Sequence, residues 1–194
     1  MRRIIFPWLL FLAACGSKQD HKAAAKNENT DYPVSMEGIG PVKTEMSQAE
    51  LEKILQQKIP LTNPTDTVSG SWTDSAVIRY KDAELRLRFE RTYAFAAAPD
   101  SFYMRVTEIK SGHPQCKTAE GIGIGSGKQQ VIDAYPGNLL IMEPGYDSET
   151  DTTYSKTLYT IKIRQNREGP QIVCYLRNNR VYAFEVSSFH DDAE

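Results

Sequence analysis

Residues 84–91 read Glu-Leu-Arg-Leu-Arg-Phe-Glu-Arg. Alternation of this kind places Leu85, Leu87 and Phe89 on one side of an extended chain, and Arg86, Arg88 and Glu90 on the other. A strand with one apolar and one charged side suits an antiparallel sheet that buries a single face. Working outward, a similar period of two recurs at 76–80 and 102–110 in the first half of the chain. In the second half it recurs at 138–143, 157–164, 171–176 and 181–188. Asn178-Asn179 separates the last two segments. Asparagine tolerates the positive φ that a two-residue hairpin turn requires.

A short helix is expected before each group of strands. Ser47-Gln48-Ala49-Glu50 leads into Leu51, Ile54 and Leu55, and Ser126-Gly127-Lys128-Gln129 leads into Val131, Ile132 and Tyr135. A serine followed three residues later by Glu or Gln satisfies the first free N–H groups of a helix reciprocally. The first helix should end near Gln57, before Pro60, and the second at Pro136-Gly137. Each is preceded by a glycine-rich segment, Gly38-Ile39-Gly40 and Gly121-Ile122-Gly123. The pattern predicts an α+β fold in one domain, 34–188. Its two weakly repeated units, about 34–112 and 113–188, would each be a short capped helix followed by an antiparallel meander. The G-I-G segments with their capped helices, chiefly 121–135, and the closing strand 181–186 resemble the β-lactamase inhibitor protein fold. They also resemble small outer-membrane assembly lipoproteins of similar build. That resemblance covers about 34–188 and implies a binding or assembly module.

The N-terminus carries a separate message. Arg2 and Arg3 precede an apolar run at 4–12, and Leu12-Ala13-Ala14-Cys15 follows. A basic start, a short apolar run and small residues before a cut site make a secretory signal. The run is far shorter than the roughly 20 residues that span a bilayer as a helix. The L-A-A-C tetrad resembles the lipobox of bacterial lipoproteins. That resemblance implies cleavage of 1–14, lipid on the Cys15 thiol, and stable anchoring by two or three acyl chains. Residues 15–33 then form the lipidated cysteine and a polar tether, and 189–194 an acidic tail. The expected location is the cell envelope, on the outer membrane or the periplasmic face.

Removing 14 of the 194 residues leaves 180, enough for one domain. Arg2 and Arg3 leave with the signal, so 21 of the 23 basic residues face 25 acidic ones. A mildly acidic chain without a basic cluster has no electrostatic footprint for nucleic acid. Of three cysteines, lipidation of Cys15 leaves Cys116 and Cys174. An oxidising compartment and an even count read as a disulfide between them.

No motif points to chemistry. In the 121–128 run GIGIGSGK, Ile122 stands where a phosphate loop needs its first glycine, and no register gives G-x-G-x-x-G. No nucleotide or other cofactor is expected. Asp147-Ser148-Glu149-Thr150-Asp151 lacks the glycine and distal glutamate of a calcium loop, so it reads as a hairpin tip and not as a metal site. His21 and His190 lie in the tether and the tail. His113 lies three residues before Cys116, close enough in sequence to suggest an activated thiol, but a disulfide would remove that thiol. Neither G-x-S-x-G nor H-E-x-x-H occurs. No catalytic residue is assigned and no enzyme is expected.

The last hairpin supplies the candidate binding residues. A turn at Asn178-Asn179 sets Leu176 opposite Val181, Tyr175 opposite Tyr182, Cys174 opposite Ala183 and Val173 opposite Phe184. One face then carries Ile172, Cys174, Leu176, Val181 and Ala183, and the other Val173, Tyr175, Tyr182, Phe184 and Val186. The cysteine face is expected toward the helices. The tyrosine face is either covered by the first half or forms a solvent-facing interaction patch, with Tyr175, Tyr182 and Phe184 as partner contacts. The expected role is a lipid-anchored, non-catalytic binding or assembly module with a protein partner. Two other classes stand beside it: an inhibitor or immunity protein against a hydrolase, and an enzyme whose site the sequence does not advertise.

Overall fold

A computed structural model describes residues 31–61, 73–93, 102–148 and 150–188. The expected signal segment, Cys15, the expected tether up to residue 30 and the expected acidic tail lie outside the described residues. In chain order the elements are β1 (Pro33–Ser35), β2 (Gly38–Ile39), β3 (Val42–Lys43), α1 (Gln48–Leu55), β4 (Thr73–Tyr80), β5 (Ala83–Tyr93) and β6 (Phe102–Ser111). There follow β7 (Lys117–Thr118), α2 (Lys128–Ala134), β8 (Leu139–Pro144), β9 (Leu158–Arg164), β10 (Gln171–Arg177) and β11 (Arg180–Ser187). Seven strands form one sheet in the order β4-β5-β6-β11-β10-β9-β8, and four short ones form a second in the order β3-β2-β1-β7.

The architecture is mostly β, which corrects the expectation of an α+β fold built from two helix-plus-meander units. Both helices exist, but at eight and seven residues each is about two turns long and has one fully buried residue, Leu51 or Val131. A helix that short covers too little apolar surface to form a layer of its own. The strands of the two halves do not make separate meanders either. β6 pairs antiparallel with β11, from Phe184 opposite Ser111 to Ser187 opposite Glu108. β1 pairs parallel with β7, joining the halves a second time.

The alternation at 84–91 is present in the structure. In β5, Ala83, Leu85, Leu87 and Phe89 are buried while Glu84, Arg86 and Arg88 are exposed. Their neighbours in the pairing are Ile78 and Ala76 on β4 and Ile109 on β6. Tyr32, Val34, Ile39 and Val42 from the small sheet region, with Leu51, Ile122, Val131 and Tyr135 from the helices and their approaches, join the same core. Each fully buried aliphatic or aromatic side chain there contributes about 1.5–3 kcal/mol.

The first helix starts as the sequence predicts. The Glu50 N–H donates to Ser47 Oγ at 3.2 Å, and the Ser47 N–H donates to Glu50 Oε2 at 2.9 Å. The second starts one residue later than predicted. The Gly127 N–H donates to Gln130 Oε1 at 2.7 Å, while Ser126 Oγ accepts from the Gly123 N–H at 3.0 Å and closes the preceding turn. Gly38 is required by close approach, since a Cβ there would lie 2.0 Å from the Val42 carbonyl oxygen.

Candidate binding face

Among the described residues, the helices and the small sheet join the core on one side of the seven-stranded sheet. The other side is left as an outer face. What that face presents is decided by the hairpin β10–β11. Its turn is the one expected, with Asn178 at φ 51° and Asn179 at φ 63°. Pairing begins with Arg177 opposite Arg180 and Leu176 opposite Val181, then shifts. Tyr175 lies opposite Ala183, Cys174 opposite Phe184, Val173 opposite Glu185 and Ile172 opposite Val186. Tyr182 is the extra residue of a β-bulge.

A slip of one residue sends every following side chain to the opposite face. Phe184 and Val186 therefore join the core, each 0% exposed, and Glu185 turns outward. This corrects the assignment of Phe184 as a partner contact. Tyr175 and Tyr182 do share the outer face, and Tyr182 is exposed at 38%. The signal for the bulge was present: in Val181-Tyr182-Ala183-Phe184-Glu185-Val186, a strict period of two would force Glu185 inward beside Ala183.

The outer face carries an ordered polar and aromatic array that sequence reasoning missed. Arg86, Lys110 and Glu185 lie in one register row, with Arg88 opposite Glu108 in the next. Lys110 Nζ sits 3.4 Å from the centroid of the Tyr175 ring and 3.8 Å from Glu185 Oε2. The Tyr175 hydroxyl donates to Glu185 Oε2 at 2.7 Å. The rings of Tyr175 and Tyr182 have centroids 6.1 Å apart, and Arg177 Cζ lies 5.0 Å over Tyr182. An aromatic pair is thus flanked by two cations, each a favourable contact for the ring quadrupole. Burial pushes the Lys110 ammonium down, and it pushes the Glu108 carboxyl up with help from Glu185. Burial and then Glu185 push the Tyr175 hydroxyl up. Chemically this is a preorganised surface of donors, acceptors and ring faces.

The motifs weighed in the sequence have structural partners. The backbone N–H groups of Gly125 and Lys128 donate to the carbonyls of Val181 and Asn179 at 2.8 and 2.9 Å, so the glycine-rich run does not offer them to a phosphate. The Asp151 carboxylate accepts from the Ser148 N–H at 2.8 Å, and Asp147 accepts from Ser155 Oγ at 2.7 Å, closing the β8–β9 loop. Among the described residues no group of three His, Cys, Asp or Glu side chains is placed to hold a metal. His113 turns its imidazole to Asp82, with Nε2 3.3 Å from Oδ2 and the Tyr32 ring 4.5 Å away, while the Tyr32 hydroxyl donates to Asp82. Burial pushes the Cys116 thiol up, which is the opposite of activation.

Cys116 and Cys174 are both buried and carry free thiols. Cys174 points inward from the middle of β10, and Cys116 precedes β7 of the other sheet. Alkylation followed by mass spectrometry tests the pairing expected from compartment and parity. With the thiols as they stand here, neither reacts in the native protein and both react on unfolding without a reductant. A bridge would leave both unreactive until a reductant is added.

Comparison with family models, curated proteins and solved structures gave no match. No helix of the described residues is long and apolar enough to cross a membrane.

Proposed function

We propose that this chain is a lipid-anchored cell-envelope protein that binds a protein partner through the outer face of its seven-stranded sheet, without chemistry of its own. The observation behind the reading is the Tyr175–Tyr182 pair between Lys110 and Arg177. Tyrosine and arginine are the side chains that most often carry binding energy at protein interfaces. Anchoring rests on the L-A-A-C tetrad ending at Cys15.

In-cell crosslinking and co-purification of the full-length lipoprotein test both parts. Tyr182→Ala is expected to weaken partner capture by at least about 30-fold, the equivalent of a 2 kcal/mol hot spot, with the melting temperature held. Capture unchanged in that variant overturns the face. Cys15→Ala is expected to leave the membrane fraction and lose fatty-acid labelling, and retention of both overturns the anchor. The identity of the captured protein separates assembly from inhibition, since an inhibitor or immunity protein would be recovered with a hydrolase.

A further inference from the structure

The sequence shows no basic cluster, yet the fold brings three cations together at the β10–β11 turn. Arg177 and Arg180 flank Asn178-Asn179 and lie directly opposite each other, a like-charge pair that costs the hairpin stability. A bridge between Gly127 and Arg180 sets the start of α2 against this turn. Lys128 comes with it, its Nζ 5.2 Å from the centroid of the Tyr159 ring. Between the turn and α2 is an open hollow of about 770 Å³. Its described lining has two cations, Lys128 and Arg180, four side-chain amides and no carboxylate.

Hydrogen bonds within the fold decide which ends of those amides remain for a ligand. Gln130 Oε1 accepts from the Gly127 N–H at 2.7 Å, and Asn179 Oδ1 accepts from the Tyr159 hydroxyl at 2.5 Å. With their oxygens engaged, both side chains present NH2 donors. Gln129 is the exception, since its NH2 donates to Asp133 at 2.8 Å. Arg180 gives one N–H to the Gly125 carbonyl at 2.9 Å, which orients the guanidinium and leaves it further donors. The backbone is not the receptor, because the Lys128 N–H already donates to the Asn179 carbonyl. The side chains thus form a hollow of donors with positive charge.

We infer that this hollow binds a phosphate group, held by Arg180, Lys128 and the amides of Asn179 and Gln130. A carboxylate is planar and is satisfied by one guanidinium fork. Donors that reach in from the turn, from β11 and from α2 suit the several oxygens of a tetrahedral anion. Its charge also offsets the repulsion between Arg177 and Arg180. A soluble phosphate ester and a phospholipid headgroup share this chemistry, and two probes separate them.

The experiment uses the full-length protein in nonionic detergent, with the side-chain amide NMR signals of Asn179 and Gln130 as the readout. One titration adds glycerol phosphate, and the other mixes phosphatidylglycerol into the micelles. Sodium chloride at matched ionic strength is the reference. The signals should shift saturably with glycerol phosphate and stay in place with the chloride. Arg180→Gln and Lys128→Gln should each weaken binding by roughly 10-fold or more, the usual weight of a charged hydrogen bond. Lys53→Gln, on α1, should leave it unchanged. A response to glycerol phosphate alone assigns the site to a soluble ester. A response to phosphatidylglycerol, alone or as well, assigns it to a lipid headgroup. The inference is overturned if neither probe gives a saturable shift, if chloride gives the same shift, or if a folded Arg180→Gln protein binds as tightly as the wild type.

Discussion

Phe184→Ala lowers stability by about 3–5 kcal/mol, the usual cost of truncating a buried aromatic, and so lowers the melting temperature by about 6–20 °C. The reason is the bulge at Tyr182. It carries Phe184 to the inner face opposite Cys174, where it is 0% exposed. Tyr182→Ala, two residues away on the outer face, should cost less than about 1 kcal/mol, within the range of surface changes. Thermal unfolding of the two single variants checks this. Were the hairpin in unbroken register, Phe184 would stand beside Tyr175 on the outer face, and its truncation would cost the partner and spare the fold. A Phe184→Ala protein as stable as the wild type would therefore overturn the bulge.

Alkaline pH should unfold the protein steeply. Burial pushes the Cys174 thiol up from about 9 to about 12. Burial also raises the Cys116 thiol and the hydroxyls of Tyr135 and Tyr175. In each case the native state holds its proton more tightly than the unfolded chain. Below the ordinary thiol range both states are protonated and stability is complete. As pH rises through that range the unfolded chain releases protons that the native state keeps, and stability falls until the native groups ionise too. For Cys174 alone the loss approaches about 4 kcal/mol near pH 12, and the tyrosines add to it above about pH 10. Urea midpoints at pH 7, 9 and 10.5 should fall progressively, and Cys174→Val should flatten the decline. A midpoint unchanged from pH 7 to 10.5 would overturn the assignment. The same series reads the redox state, because a disulfide removes both thiols from the balance and addition of a reductant restores the slope.

The long strands and their faces were legible because a half-buried antiparallel strand writes its burial into every second residue. Leu85, Leu87 and Phe89 against Arg86 and Arg88 give the inner and outer faces of β5 directly. The cap at Ser47 and the turn at Asn178-Asn179 were legible for a local reason as well: side-chain hydrogen bonding and a positive φ are properties of a few neighbouring residues. Strands of two or three residues, such as β2 and β7, are shorter than one period and leave no pattern, so the small sheet was invisible. The helices were over-weighted because a capping box marks where a helix begins and says little about how much core it covers.

The chain's order of side chains by itself determined seven strands, one helix start to the residue and a second to within one residue, one hairpin turn and the inward direction of most apolar residues. Only the tertiary structure decided that the two halves share a sheet through β6 and β11, that Tyr182 bulges and sends Phe184 into the core, and that Lys110, Tyr175 and Glu185 meet on the outer face. Those features arise from contacts between residues far apart in the chain. Their free energy depends on which strand lies beside which, and no local period records that.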